Sequence, residues 1–163
     1  MAKTYTLHVA GLTRELPICK INDHLDIAAF IMFSDVELTI ACAKAKGIPL
    51  AYEMSRQSGK QWIPARKGVK GYMADPVIVE DQSITTAGKQ TLVIDKKDLD
   101  YMNGKRILVV DDVISTGGSL HALDALAARS SGTIVAQAAV LAEGDAAERK
   151  DIIFLEPLPL FAH

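Results

Sequence analysis

Short runs of hydrophobic residues separated by polar turns recur along the chain, and the first two runs indicate paired strands. Tyr5–Val9 and Glu15–Ile21 are rich in β-forming residues and flank the polar stretch Gly11–Arg14. Two such runs around a glycine-containing turn are typical of a β-hairpin. We therefore expect the chain to begin with two antiparallel strands.

The following stretch has hydrophobic residues at helical spacing. They recur every three or four positions over Asp23–Phe33, which predicts a helix there. The same period continues over Asp35–Ser58, where Gly47 and Pro49 interrupt it. Because proline disfavours helical geometry in the residue before it, we expect a break near Lys46–Ile48.

The middle of the chain returns to shorter hydrophobic runs. Gln61–Arg66, Pro76–Ile84 and Gln90–Asp95 have the length and composition of strands. Thr85–Lys89 is polar and predicts a flexible connection between the last two strands. Lys96–Asn103 predicts one or two helical turns.

The clearest alternation of elements follows. Arg106–Val110 is a continuous aliphatic run, which is typical of a buried strand in a parallel sheet. The loop Ser115–Ser119 and the amphipathic helix Leu120–Ser130 come next, followed by strands at Thr133–Leu141 and Ile152–Leu155. This order predicts an α/β fold in which a mostly parallel sheet is flanked by helices, in a single domain that spans the chain.

Composition and charge narrow the classes of function. Hydrophobic residues make up 49% of the 163 residues and charged residues 23%, as in a globular protein. The net charge of −2 lacks the basic excess of nucleic-acid-binding proteins. Cys19 and Cys42 offer no metal-ligand spacing or disulfide framework, and no apolar run approaches the roughly 20 residues of a membrane span. We expect a cytoplasmic protein that binds neither nucleic acid nor membranes.

The segment Ile107–Ser119 carries the strongest chemical signal. Aliphatic residues run into Asp111 and Asp112, at the end of the predicted strand where open α/β sheets bind ligands. The small residues of Ser115–Ser119 can surround a phosphate with backbone N–H groups and hydroxyls at the start of the next helix. Two acids beside a phosphate site make sense when the ligand also carries neutral hydroxyl groups. The segment therefore predicts a phosphorylated sugar as ligand.

A plainer interpretation is a strand–turn–helix unit in which Asp112 is a solvated cap. It suits an isolated Asp-Asp or Gly-Gly pair, but the pattern here is complete over 13 residues. The other common phosphate motifs, Gly-x-x-x-x-Gly-Lys-Ser/Thr and Gly-x-Gly-x-x-Gly, do not occur in the sequence. The sugar-phosphate interpretation is therefore favoured.

This segment resembles the motif with which type I phosphoribosyltransferases bind 5-phosphoribosyl-1-pyrophosphate (PRPP), and the resemblance extends over most of the chain. It implies that Asp111 and Asp112 hold the ribose hydroxyls. It also implies that the loop holds the 5′-phosphate through Ser115, Thr116, Gly117, Gly118 and Ser119, and that Val113 and Ile114 belong to the PRPP-binding segment. Lys46 and Gly47 resemble the end of a further PRPP-binding loop. The implied cofactor is Mg²⁺, held mainly by ligand oxygens rather than by protein side chains.

Two further segments are similar to adenine phosphoribosyltransferases. Ile63–Lys70 resembles the strand and basic loop near the pyrophosphate, which implies that Arg66, Lys67 and Lys70 neutralise the departing pyrophosphate. The alternative for this segment is a solvated basic turn. The tail Phe154–His163 is similar to the proline-containing end of adenine-specific members, or is simply an extended strand packed on the core. The terminal segments are expected to form a small hood over the base.

Two stretches depart from the family pattern. The mobile loop of adenine enzymes usually carries an acid, whereas Ser83–Lys89 contains no carboxylate, so no general acid or base is assigned. An aliphatic strand usually precedes the loop that contains Lys46, whereas Asp35–Lys44 has helical spacing. We hypothesise that another chain or a rearranged helix takes the place of that strand.

The sequence thus predicts a purine phosphoribosyltransferase with adenine as the first candidate base, and the resemblance implies a homodimer. Asp111, Asp112, Arg66 and Lys67 are the candidate catalytic residues. One alternative is a PRPP-binding regulatory protein without catalysis, which the missing loop acid favours. A second alternative, an orotate-type enzyme, is disfavoured by the basic segment and the tail.

Overall fold

The computed structural model describes residues 3–9, 11–23, 25–28, 47–82 and 89–162. In chain order, its helices and strands are β1 (Thr4–Val9), β2 (Leu12–Asn22), β3 (Leu25–Ala28), α1 (Ile48–Ser58), β4 (Pro76–Gln82), β5 (Lys89–Asp95), α2 (Lys96–Tyr101), β6 (Arg106–Ile114), α3 (Gly118–Ala127), β7 (Thr133–Glu143), a 3₁₀ helix (Gly144–Glu148), β8 (Glu156–Leu158) and β9 (Leu160–Ala162).

A parallel sheet of three strands, in the order β6-β7-β8, carries the central part of the fold. β6 and β7 are joined through α3, which packs on both strands, because parallel neighbours require a crossover connection. The core beneath α3 is aliphatic and includes Val109, Ile114, Leu120, Ala139 and Ala142. The predicted α/β fold with a parallel sheet flanked by helices is confirmed.

The antiparallel ribbon β4–β5 packs on the same helix. Val79, Leu92 and Ile94 from the ribbon meet Ala122 and Leu126 of α3 in one buried cluster. The helix therefore presents apolar residues both to the parallel sheet and to the ribbon, and it is the element around which the described core is organised. The predicted strands on either side of residues 83–88 are confirmed, and those six residues lie outside the described ranges.

Segments from both ends of the chain form a second sheet, in the order β1-β2-β3-β9. All of its pairs are antiparallel. Leu7 and Leu16 from this sheet pack against Leu141 and Leu158 of the parallel sheet, so the two sheets share a small core. The predicted N-terminal hairpin is confirmed, as is the prediction of a small unit built from the terminal segments.

Several predicted elements differ from the structure, because pairing with distant residues, or the lack of it, decides the backbone. The helix expected at Asp23–Phe33 is wrong over Leu25–Ala28, which pairs with β2 and β9 as a strand. The strand expected at Gln61–Arg66 is reduced to a single bridge between Arg66 and Val93, in keeping with the missing N–H donor of Pro64.

The last strand also lies later than predicted. In the stretch Ile152–Leu155 only Ile153 forms a bridge, to Ala138, whereas Glu156–Leu158 pairs with the end of β7. The predictions for residues 29–46, including the hypothesis about a replaced strand, lie outside the described residues. None of the described helices is long and apolar enough to cross a membrane.

Candidate functional site

The turn between β6 and α3 is shaped to receive an anion. Gly117 is the residue that precedes the first turn of α3, and its φ of 86° lies in the left-handed region that favours glycine. Gly117 supplies no side-chain cap to the helix, and the first turn contains no acidic residue. No carboxylate of that turn therefore competes with a bound anion for the N–H groups at the positive end of the helix dipole.

The paired acids lie one step earlier, inside β6 rather than after it. The strand was expected to end at Val110, but its pairing with β7 continues to Ile114. Asp111 and Asp112 are thus held by a ladder of backbone hydrogen bonds, and the side chain of Asp112 is almost fully buried. Strand positions fix side chains more firmly than loop positions do, which suits a site that must hold a ligand in one orientation.

The two acids act on each other directly. The backbone N–H of Asp112 donates a hydrogen bond of 2.9 Å to Oδ1 of Asp111. Burial is the main cause that raises the pKa of Asp111 to about 7, and the neighbouring Asp112 raises it further. The Asp112 N–H and the positive charge of Lys67 act in the opposite direction. A proton on Asp111 is therefore exchanged near neutral pH.

Gly47 brings the start of α1 against this pair. A Cβ at Gly47 would lie 3.0 Å from Cα of Asp111, 3.2 Å from its Oδ1 and 3.3 Å from the carbonyl oxygen of Val110. Such distances are too short for an undisturbed side chain, so glycine permits the close approach of the two backbones. Lys46, the other residue predicted in this loop, lies outside the described residues.

The structure separates the three basic residues that the sequence grouped together. Lys67 lines the cavity described below and acts electrostatically on Asp111. Arg66 is anchored through its backbone to Val93, with hydrogen bonds of 2.9 and 2.7 Å. The Nε atom of Arg66 is buried and has no hydrogen-bond partner in the part of the chain that is described. Neither Arg66 nor the exposed Lys70 lines the cavity.

A cavity of about 840 Å³ joins these elements. Its walls include α1, residues 60–65 with Lys67, and consecutive residues of β6 from Arg106 to Val113. The predicted site residues that line it are Gly47, Lys67, Asp111, Asp112, Val113, Ser115 and Ser119. The other predicted residues of the motif do not line it: Ile114 is buried in the core, while Thr116, Gly117 and Gly118 form the turn and the start of α3.

Two residues that the sequence reasoning did not single out also line the cavity. Glu143 ends β7 and Leu158 ends β8, and they pair with each other in the sheet. An acid that directly follows an aliphatic strand was a usable signal for Glu143, because carboxyl ends of parallel strands meet at one edge. Leu158 carried no such signal.

Comparisons with known proteins agree with this geometry. The family model of the phosphoribosyl transferase domain matches residues 20–156. A hypoxanthine/guanine phosphoribosyltransferase of Methanothermus fervidus is 32% identical over 120 residues, which are 71% of this chain and 59% of the relative. An adenine phosphoribosyltransferase of Bifidobacterium animalis subsp. lactis is 34% identical over 108 residues, 66% of this chain and 53% of the relative. The chain therefore spans between half and two thirds of the length of these relatives.

Solved structures show the same fold. The adenine phosphoribosyltransferase of Thermoanaerobacter pseudethanolicus matches with a TM-score of 0.58 and 24% identity, covering 70% of this chain and 66% of that one. The corresponding enzyme of Rhodothermus marinus matches with a TM-score of 0.55 and 24% identity, covering 68% and 64%. Because the family model covers most of the chain and its motif residues converge on one cavity, the chain belongs to the phosphoribosyltransferase domain family.

Proposed function

We propose that this protein binds PRPP and transfers its phosphoribosyl group to a purine base, releasing pyrophosphate. The observation that carries the proposal is the pair Asp111–Asp112 in β6, of which Asp112 is buried, followed by the turn at Gly117 and the start of α3. The acids can accept hydrogen bonds from hydroxyl groups, and the start of the helix can bind a phosphate. Both lie close together along one strand–turn–helix unit. The named relatives are purine phosphoribosyltransferases, which supports a purine as the acceptor.

In this proposal the two halves of the site bind two parts of PRPP. Asp111 and Asp112 accept hydrogen bonds from the ribose hydroxyls, each of which contributes roughly 1.5–3 kcal/mol because the acceptor is charged. The N–H groups and hydroxyls of Ser115–Ser119 bind the 5′-phosphate at the start of α3. The sugar is thereby fixed at both ends, and its anomeric carbon faces the cavity.

The chemical step breaks the bond between the anomeric carbon and pyrophosphate and forms a bond from that carbon to a ring nitrogen of the base. The leaving pyrophosphate gains negative charge, which Lys67 in the cavity wall neutralises in this proposal. Within the described residues no group of three or more His, Cys, Asp or Glu side chains is placed to hold a metal ion. The carboxylates of Asp111 and Asp112 fit a Mg²⁺ ion, which would be held mainly by oxygens of the bound ligand beside them and would offset the negative charge of pyrophosphate.

Adenine is the first candidate base, since most of the named relatives are adenine enzymes. The test is pyrophosphate release from PRPP and Mg²⁺ with adenine, hypoxanthine, guanine, xanthine and orotate in parallel. Turnover with a purine and not with orotate is expected. PRPP binding without turnover on any base would contradict the proposal and favour a regulatory protein instead.

A further inference from the structure

Glu143 is a buried carboxylate that the proposed reaction does not yet use. Its side chain is 8% exposed, and it lines the same cavity as Asp111, Asp112 and Ser115. Glu143 follows Ala142, which pairs with Ile114, so it ends β7 level with the beginning of the phosphate loop. The position is therefore at the ligand-binding edge of the sheet.

The carboxylate of Glu143 has no hydrogen-bond partner within the described ranges of the chain. Asp95 shows what a structural acid of similar burial looks like here: it is 4% exposed, and its Oδ2 accepts a hydrogen bond of 3.2 Å from the N–H of Ala74. The oxygens of Glu143 are not among the enclosed atoms that lack a partner, so they are open to the cavity that this residue lines. Glu143 thus offers an acceptor to a donor group inside the cavity.

The parts of the proposed ligand differ in what they can donate. Phosphate and pyrophosphate groups carry negative charge and are repelled by a carboxylate. The ribose hydroxyls can donate, but Asp111 and Asp112 already serve them in the proposed function. The N–H groups of the base remain. Glu143 also pairs with Leu158, which packs with Leu7 and Leu16 of the terminal sheet, so an apolar wall lies beside it for a flat ring.

We propose that Glu143 is a specificity-determining residue that accepts a hydrogen bond from the exocyclic amino group of an aminopurine such as adenine. The inference rests on the proposed function and deepens it. An ionised carboxylate is only an acceptor, so it attracts an amino group and repels the oxygen that hypoxanthine carries at the same ring position. Selectivity therefore comes from one favourable and one unfavourable contact.

The experiment measures equilibrium binding by calorimetry, so it does not depend on turnover. The ligands are AMP, IMP, purine riboside 5′-monophosphate, which lacks the amino group, and ribose 5-phosphate, which lacks the base. The variant is Glu143→Gln, whose amide has nearly the same shape and can donate as well as accept. Asp95→Asn is the matched control, since it neutralises a buried acid outside the cavity.

In Glu143→Gln we expect AMP to bind about tenfold more weakly or worse, as for the loss of a charge-assisted hydrogen bond. IMP should bind as well as before or better, and ribose 5-phosphate should be unaffected. Removing the amino group from the ligand should weaken binding less in Glu143→Gln than in the wild-type protein, because both changes remove the same hydrogen bond. Asp95→Asn should leave the ratio of AMP affinity to IMP affinity unchanged.

Several outcomes overturn the inference. Equal weakening of AMP and ribose 5-phosphate would make Glu143 a sugar-binding or structural residue, and an unchanged AMP-to-IMP ratio would show that it does not read the base. Wild-type protein that binds AMP no tighter than ribose 5-phosphate would also refute it. If the expected pattern is found but no base is turned over, the inference stands and the proposed function fails. If purines are turned over but the ratio is unchanged, only the inference fails.

Discussion

Replacing Gly47 with alanine tests the closest contact in the proposed site. Besides Oδ1 of Asp111, the new Cβ would meet two backbone atoms, Cα of Asp111 at 3.0 Å and the carbonyl oxygen of Val110 at 3.3 Å. Both belong to β6, which is held on its other edge by β7, so the strand has little room to retreat. The start of α1 must shift away instead.

The size of the effect follows from this geometry. Forcing a methyl group into a packed contact costs about 1–3 kcal/mol, which corresponds to roughly 5- to 150-fold in an equilibrium constant. Gly71→Ala is the matched control, because no atom lies within 4 Å of its added Cβ and its φ is not in the left-handed region. We expect Gly47→Ala to weaken PRPP binding within that range or to lower the free energy of unfolding by the same amount, and Gly71→Ala to do neither.

PRPP affinity is measured by calorimetry and the free energy of unfolding by urea denaturation for both variants. If Gly47→Ala matched the wild-type protein in both measurements, the close approach between α1 and Asp111 would be wrong.

Three further predictions address the acid pair, the phosphate turn and the core. Because burial raises the pKa of Asp111 to about 7, PRPP affinity should rise as the pH is raised from about 6 to 8. The variant Asp111→Asn should lose this pH dependence and keep only the one that comes from the phosphates of the ligand, whose pKa is about 6. The same raised pKa means that the folded state binds the extra proton, so the free energy of unfolding of the wild-type protein relative to Asp111→Asn should fall as pH rises from about 4 to about 7. A rise in that difference would contradict the assignment. Gly117→Ala and Gly104→Ala both place alanine at a positive φ, 86° and 67°, so each variant should lose about 1–2 kcal/mol of stability in urea denaturation. Only Gly117→Ala should weaken the binding of ribose 5-phosphate, and equal effects of the two variants on binding would argue against a phosphate turn. Gly132→Ala should destabilise the fold by about 1–3 kcal/mol, since its Cβ would lie 2.6 Å from the carbonyl oxygen of Met102. The midpoint of thermal unfolding should therefore fall, and an unchanged midpoint would show that this contact is wrong.

How far the sequence predicts the structure depends on whether the signal is local. The unit from β6 through α3 to β7 was predicted because its aliphatic run, glycine turn and amphipathic helix are all encoded in neighbouring residues. Leu25–Ala28 was assigned to a helix, since its partners β2 and β9 are distant along the chain and its own spacing fits a helix as well. Pairing energy that depends on remote residues leaves no periodic trace in the segment itself.

The same distinction applies to the site. The acid pair and the loop were predicted from one continuous motif, and the structure places them along one strand–turn–helix unit. The separation of Lys67 from Arg66 and Lys70 was not predictable from the sequence. Neighbouring side chains point to different sides of the backbone, and the sequence does not show which side faces the cavity. The burial of Glu143 depends on the cavity wall that β8 completes, and β8 was predicted at the wrong position.

Calorimetric titration of PRPP with Mg²⁺ into wild-type protein and the Asp111→Asn/Asp112→Asn double variant tests PRPP binding at the acid pair most directly. Loss of two hydrogen bonds to charged acceptors should weaken binding by about 100-fold or more. Because asparagine keeps the shape and removes the repulsion between buried acids, the variant should remain folded in urea denaturation. Affinity at least 100-fold weaker in a folded variant is the expected result, and unchanged affinity would show that PRPP is not bound through these acids.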